Sequence, residues 1–212
     1  LGVVEQYGCR NFHHPLEITN QEVKCAIVEE VEGEAEGNVE LHIYQGLPKA
    51  DKMELIVQKA VELGAYEVVP VSMARSIVKL DDKKQKTKIT RWQSIAEAAA
   101  KQSKRSIIPQ IQPVMTMKQA LSYAKEMDML FVPYELADDM EKTRELFEEV
   151  KPGQHIGFFI GPEGGFDEAE IQLALDSGAH PITLGKRILR TETAGMTVLS
   201  ILMYHLEGKN IQ

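Results

Sequence analysis

The stretch IGPEGGFDEAE, Ile160 to Glu170, sets a carboxylate and bare glycines between an apolar run and a helix start. Gly164 and Gly165 can adopt positive φ and let a ligand lie against main-chain N–H groups. Phosphate is the wrong ligand for it. A Walker loop ends in Gly-Lys-Ser/Thr, and no basic residue occurs from Ile156 to Gly178. The glycines do not follow the dinucleotide spacing GxGxxG either, and Glu163 would repel a pyrophosphate. A neutral or cationic ligand suits the loop. A tight strand-to-helix turn that binds nothing is the plainer alternative.

A second unusual stretch, LGKRILRTETAG, runs from Leu184 to Gly195. Arg187 and Arg190 flank apolar Ile188 and Leu189, and Thr191, Glu192 and Thr193 offer helix-capping groups. Arg190 and Glu192 read most simply as a local ion pair at a helix start. Both stretches follow short apolar runs, HIGFFIG and PIT, and so lie at the carboxyl ends of consecutive strands, where open α/β sheets bind ligands. Two such loops favour one concave site. Elsewhere, ten basic residues face three acidic ones between Arg75 and Arg105, whereas Glu135 to Glu149 holds seven acids and two bases. The basic segment reads as a phosphate-facing patch or as a solvated helix face.

The elements that must hold these loops alternate. KMELIVQKAVELG places Met53, Ile56, Val57, Ala60 and Val61 on one helical face with Gly64 at its end. YEVVPVS is a strand, and RWQSIAEAAAKQS is a helix with Trp92, Ile95, Ala96 and Ala99 on one stripe. MKQALSYAKEM, residues 138–149, the segment from Asp167 and the segment from Glu192 to Leu206 read as helices; MLFVPY, HIGFFIG and PITLG read as strands. Asp167 with Glu170 makes a capping box. Strand–helix alternation implies an α/β fold with a mostly parallel sheet covered on both faces. Before Leu47 the pattern changes: EVKCAIVEEV and VELHIYQG, joined by the acidic turn EGEAEGN, read as a β-hairpin. The opening LGVVEQYGCRNFHH has no clear period.

Composition narrows the class. With 212 residues, 43% of them hydrophobic, the chain can build a core, and its net charge of −8 argues against coating nucleic acid along its whole surface. Two cysteines, Cys9 and Cys25, suit a reducing cytoplasm. No apolar run approaches the ~20 residues that span a bilayer, and no signal peptide is visible, so the expectation is a soluble cytoplasmic protein without membrane contact. The six histidines, at positions 13, 14, 42, 155, 180 and 205, show no metal-ligand or triad spacing, and no metal site is expected.

In chain order, GLPKADKMELIVQKAVELGA, ARSIV, RWQSIAEAAAKQSKR, IP, GPEGGF and LGKRILRTETA resemble the RsmE family of bacterial 16S rRNA uridine-N3 methyltransferases, within the SPOUT superfamily. The resemblance runs from about Leu47 to the C-terminus. It implies a SPOUT domain over residues 46–212, with a deep C-terminal trefoil knot that runs against the general rarity of knots. It further implies a PUA-like β-rich RNA-binding domain over residues 1–45, a homodimer, S-adenosylmethionine as cofactor and 16S rRNA in the assembled small subunit as substrate. The segment before Gly46 departs from the family: it is shorter than the usual barrel and lacks its early strands and its VLR-like motif.

Carried onto this sequence, the resemblance assigns cofactor contacts to Ile160, Gly161, Pro162, Glu163 and Gly164, to Leu184, Gly185, Ile188 and Leu189, and to Pro133, Tyr134 and Glu135. Ile188 and Leu189 would pack on adenine. Uracil N3 is a poor nucleophile until its proton leaves, and charge then spreads onto O2 and O4. Arg190 is the candidate guanidinium for that charge, an effect of about 3 kcal/mol, and Arg187 the next, against a phosphate. Glu192 either accepts the proton or fixes Arg190. Arg75, Lys79, Lys83, Lys84, Arg91, Gln102 and Arg105 are expected to face RNA, with Gln102 and Arg105 on one helix face. Val198, Leu199, Leu202 and Leu206 supply either a dimer interface or ordinary core. The rival readings are a ribose 2′-O methyltransferase of the same superfamily, a non-catalytic RNA-binding dimer with a degenerate pocket, and a phosphate-binding enzyme. The last needs a basic or magnesium-binding loop that neither stretch provides.

Overall fold

A computed structural model of the chain describes residues 2–4, 9–21, 23–32, 35–134, 137 and 139–207. Three strands, β1 (Gly2–Val4), β2 (Cys9–Ile18) and β3 (Val23–Glu32), form an antiparallel sheet in the order β1-β2-β3. The remaining strands are β4 (Glu40–Gly46), β5 (Ala65–Ser72), β6 (Gln110–Ile111), β7 (Met115–Thr116), β8 (Met129–Pro133), β9 (His155–Ile160) and β10 (His180–Ile182). They build a seven-stranded sheet ordered β10-β8-β9-β4-β5-β6, with β7 also on β5, and each of these pairings is parallel. The helices are α1 (Lys52–Glu62), α2 (Asp82–Gln102), α3 (Met117–Tyr123), α4 (Met140–Glu148), α5 (Glu168–Asp176) and α6 (Thr191–Glu207).

Patterning accounts for most of this. The stripe Met53, Ile56, Val57, Ala60 and Val61 of α1 is buried, and Gly64 follows the helix at φ +87, where a side chain would be strained. Every residue of β9 after His155 is buried, as a central parallel strand requires. One apolar cluster joins α1, α2 and α6 to one face of the sheet, and a second joins α3 and α5 to the other. Thr116 caps α3 in a capping box with Gln119.

One expectation fails here, and one alternative is decided. The hairpin of β3 with β4 does not form: β3 pairs with β2, and β4 lies in the middle of the parallel sheet between β9 and β5. Its run LHIYQG is buried throughout, so it belongs with the parallel strands and not with the β-rich segment before it. Val198, Leu199, Leu202 and Leu206 of α6 are core residues, all buried, and leave no interface there; Ile201 and Tyr204 face outward instead. Among the described residues no helix is long and apolar enough to cross a membrane.

Candidate functional site

The carboxyl ends of β10, β8 and β9 lie side by side. The loops after β9 and β10 are therefore not on adjacent strands; they straddle the tip of β8, which carries Pro133 and Tyr134. Pro133 stands in register with Ile182, and the Tyr134 N–H donates to the Ile182 carbonyl at 3.0 Å. Three of the expected cofactor strips thus meet at one edge of the sheet. Glu135 lies outside the described residues.

The loop after β9 is held from several sides. The Gly165 N–H closes a turn onto the Pro162 carbonyl at 2.9 Å, with Gly165 at φ +69. Asp167 caps α5, and Glu170 reciprocates, accepting from the Asp167 N–H at 3.1 Å and from the Ala74 N–H at 2.8 Å. Gly46, ending β4, admits the loop: a Cβ there would lie 2.7 Å from the Pro162 ring. Gly161, Gly164 and Gly165 are all half-buried or exposed, so a ligand can approach the loop's backbone from solvent.

Glu163 points back into the protein. Its carboxylate accepts from the Lys49 N–H at 3.1 Å and lies 3.0 Å from the Lys52 ammonium, at the start of α1. Burial pushes this carboxyl up, but its own N–H, Lys52 and the Lys49 amide together hold it below the usual range. The same ammonium reaches Oε2 of Glu192, at 3.4 Å. That oxygen is buried and has no hydrogen-bond partner of good geometry, so the ammonium is its compensation. The hydrogen bond to Glu163 raises the Lys52 pKa, opposed by desolvation and supported by Glu192. Glu192 therefore braces one loop against the other and does not fix Arg190.

A second brace is neutral. Gln45 of β4, fully buried, donates from Nε2 to Thr191 Oγ1 at 2.8 Å, and Thr191 donates to the Gly161 carbonyl at 2.6 Å. Thr191 begins α6, so this relay bonds the end of the LGKRILR loop to the start of the GPEGG loop. Within the second loop, the Thr183 N–H donates to Thr143 Oγ1 at 3.1 Å and the Gly185 N–H to Thr183 Oγ1 at 3.3 Å, with Gly185 at φ +102. Leu184 packs against the core and Leu189 is half-buried, whereas Ile188 is 87% exposed. Arg187 and Arg190 are exposed and, among the described residues, enter no ion pair, so both guanidiniums are free for a ligand.

The residues expected to face RNA differ in exposure and in partners. Lys79, Lys83 and Gln102 are exposed. Lys84 pairs with Asp81 at 3.3 Å, and Arg91 forms a bidentate bond with Glu54 at 2.6 and 2.8 Å. An open groove along α2 is lined by Lys86, Thr90, Arg91 and Ser94. Arg75 is committed to the site itself: its Nη1 donates to the Gly164 carbonyl at 3.1 Å. Arg105 is no RNA contact. It is 4% exposed, binds Glu36 at 2.7 Å and donates to the Val61 and Ala65 carbonyls at 3.1 and 2.6 Å. The helix ends at Gln102 and Lys104 takes φ +62, which turns Arg105 inward and off the Gln102 face.

Lys52 and Gln45 were not singled out from the sequence. A signal for Lys52 exists: a cation at the first position of a helix opposes the macrodipole, which points to an anion opposite it. Gln45 inside a buried apolar strand likewise implies a polar partner.

Known proteins match this architecture. Residues 35–203 fit the family model for an RNA methyltransferase domain. The ribosomal RNA small subunit methyltransferase E of Bacillus subtilis (strain 168) is 37% identical over 193 residues, 90% of this chain and 75% of that protein. A methyltransferase of Legionella pneumophila, solved in complex with the cofactor SAM, aligns with TM-score 0.83 at 29% identity, covering 96% of this chain and 82% of that one. A ribosomal RNA small subunit methyltransferase E from Neisseria gonorrhoeae, bound to S-adenosyl methionine, aligns with TM-score 0.79 at 27% identity, covering 97% and 82%.

Proposed function

The chain belongs to the ribosomal RNA small subunit methyltransferase E family of RNA methyltransferases, and from that premise we propose that it transfers a methyl group from S-adenosylmethionine to N3 of a uridine in 16S rRNA. The observation that carries this reading is the double brace, Thr191 to Gly161 and Lys52 to Glu163 and Glu192, which binds the two loops into one site at the tip of β8.

The residues fit the cofactor. Open main chain at Gly161, Gly164 and Gly185 can meet its polar ends, the second loop offers exposed Ile188 for an adenine face, and no lysine or arginine in the first loop demands phosphate. When bound, S-adenosylmethionine supplies an electrophilic methyl group on a cationic sulfur. The chain's own part is positioning and charge. In-line displacement needs the nucleophile held in line with the methyl carbon, which rigid loops favour. As the uracil N3 proton leaves, Arg190 stabilises the negative charge spreading onto O2 and O4, and N3 then forms its bond to the methyl carbon as the carbon–sulfur bond breaks. Arg187 holds an RNA phosphate. Glu192, bound to Lys52, is a positioning residue in this scheme, and solvent takes the proton.

The same reading includes the trefoil knot at the C-terminal end of the sheet, a PUA-like RNA-binding role for the β-rich N-terminal segment, a cytoplasmic location and action on the assembled small subunit. A homodimer follows with them; outward Ile201 and Tyr204 offer apolar surface to a second copy. Nucleoside mass spectrometry of 16S rRNA from cells lacking the protein tests the substrate. Loss of N3-methyluridine, restored by the wild-type chain, is expected; its persistence refutes the assignment. Calorimetry with S-adenosylmethionine separates the enzyme from a degenerate binding module, which would show no binding at millimolar cofactor.

A further inference from the structure

At the opposite end of the sheet, side chains from β4, β5 and β9 converge. His42 in β4 is 4% exposed, and its Nδ1 lies 2.8 Å from Oε1 of Glu67 in β5, itself 4% exposed. The other Glu67 oxygen accepts from Gln112 Nε2 at 2.8 Å and from the Tyr123 hydroxyl at 3.2 Å. With every neighbour donating to it, Glu67 fixes the His42 tautomer: the proton sits on Nδ1, and Nε2 carries a lone pair. That Nε2 is buried and has no hydrogen-bond partner. It points to Glu40 Oε2, at 3.7 Å, too long for a hydrogen bond. The same oxygen lies 3.0 Å from Nδ1 of His155, which begins β9 and stands in register with Glu40.

We propose that Glu40, His42 and His155 form a three-ligand zinc site that ties the start of β4 to the start of β9. The three donor atoms lie within 4.8 Å of one another. Tetrahedral zinc with ligand bonds of about 2.0–2.2 Å needs donors roughly 3.3–3.5 Å apart, and the observed 3.0 and 3.7 Å bracket that spacing. Two imidazoles with one carboxylate is a donor set suited to Zn²⁺ and not to magnesium or calcium, which prefer oxygen throughout. Glu67 on the non-ligating nitrogen of His42 is the carboxylate–histidine arrangement that orients ligands around zinc. Glu40 and His155 are each about half exposed, which leaves the fourth position to water and an entry path from solvent. The expectation that the histidines serve no metal rested on their spacing along the chain, which folding erases.

The test uses the full chain stripped with chelator and titrated with zinc chloride in a calorimeter. One equivalent is expected to bind, and zinc at a hundred times its Kd should raise Tm by roughly 5–11 °C. The half-exposed ligands can be removed without disturbing the core, so His155→Ala and Glu40→Gln should fold normally, weaken zinc by at least about tenfold and cut the Tm shift at the same zinc concentration to about half or less. Glu67→Gln, which keeps the shape, should weaken it roughly 10–100-fold. Binding that persists unchanged in His155→Ala and Glu40→Gln places the metal on other histidines and overturns the proposal. Absence of binding overturns it as well and leaves His42 as a histidine held only by Glu67.

Discussion

The relay from Gln45 through Thr191 to Gly161 makes the two-loop site testable by a single atom. Thr191→Val keeps the β-branched shape at a buried position and removes only the hydroxyl. Two groups then lose partners. The Gln45 amide is fully buried; it keeps its bond to the Gly46 carbonyl at 2.9 Å but loses the one to Thr191. An unsatisfied buried donor costs about 1–3 kcal/mol. The Gly161 carbonyl sits in a half-buried residue where water can replace the hydroxyl, so its loss falls near the low end, about 1 kcal/mol. The sum is about 3 kcal/mol, or a Tm lower by roughly 6–12 °C for a chain of this size. Stability alone does not decide the matter, because any buried hydrogen bond would show it. The deciding assay is calorimetry with S-adenosylmethionine at 15 °C, well below either Tm, so that both proteins are folded. If the relay sets the loops in register, Kd rises at least tenfold, about 1.4 kcal/mol, and Thr191→Ser, which restores a hydroxyl, recovers most of it. A Thr191→Val protein with the expected Tm loss and a Kd within about twofold of wild type would mean that the bond is only a staple. The idea of one site gripped by both loops would then fail.

Other perturbations read different parts of the site. Arg190→Ala should lower kcat roughly 100-fold while S-adenosylmethionine Kd stays within about twofold; equal losses in both would remove its role on the uracil oxygens. Gly46→Ala drives a methyl group into the Pro162 ring, at 2.7 Å, and should cost about 1–3 kcal/mol by displacing the GPEGG loop, seen as a lower Tm together with weaker cofactor binding. Arg105→Met strips the half-buried Glu36 of its cation, leaving it only the Ser106 and Ile107 N–H groups, and should destabilise by about 3 kcal/mol in urea unfolding, whereas Lys83→Ala leaves stability unchanged and lowers the salt slope of RNA binding by about 1. The Lys52–Glu163 brace should be insensitive to pH over a wide range. Glu163 is depressed, so its contribution is complete above its ordinary 4.5 and fades only as pH falls through a lower value. Lys52 is raised, so its contribution is complete below its ordinary 10.5 and fades only at higher pH. A cofactor-binding transition near neutrality that disappears in Glu163→Gln would contradict this.

Elements whose faces are set by their own periodicity were legible in the sequence. The α1 stripe, the run of β9 and the Asp167–Glu170 box each depend on residues within a few positions, and each folds as its spacing dictates. What the sequence hid depends on pairing across the chain. A run such as VELHIYQG pairs with whatever strand the topology supplies: Val39, Leu41 and Ile43 alternate with Glu40 and His42 as in a half-buried strand, yet the parallel sheet buries both sets from Leu41 onward. Arg105 was misplaced for a related reason: charge counting treats every arginine as exposed, yet the left-handed turn at Lys104 sends this one inside. The candidate site was legible through its loops, because Gly161, Gly164 and Gly185 advertise open main chain. Its braces were not, because Gln45 and Lys52 lie in segments that read as ordinary strand and helix.

Those braces answer a problem the loops create. A segment rich in glycine loses more conformational entropy on ordering than any other and has few side chains with which to hold itself. A loop bare enough to receive a ligand on its backbone must therefore be ordered by residues outside it. Here Gln45, Lys49, Lys52 and Arg75 do so, from β4, from the start of α1 and from the segment after β5. The charges follow the same logic. Because Lys52 and the Lys49 amide already engage Glu163, and Thr191, the Gly165 N–H and Arg75 already bond the carbonyls of Gly161, Pro162 and Gly164, the first loop keeps no free counterion of its own. Among the described residues the unpaired charges on the second loop are Lys186, Arg187 and Arg190. The first loop thus presents paired charge and the second free cations, so on the proposed reading a cofactor and an anionic substrate need not compete for the same groups at one sheet edge.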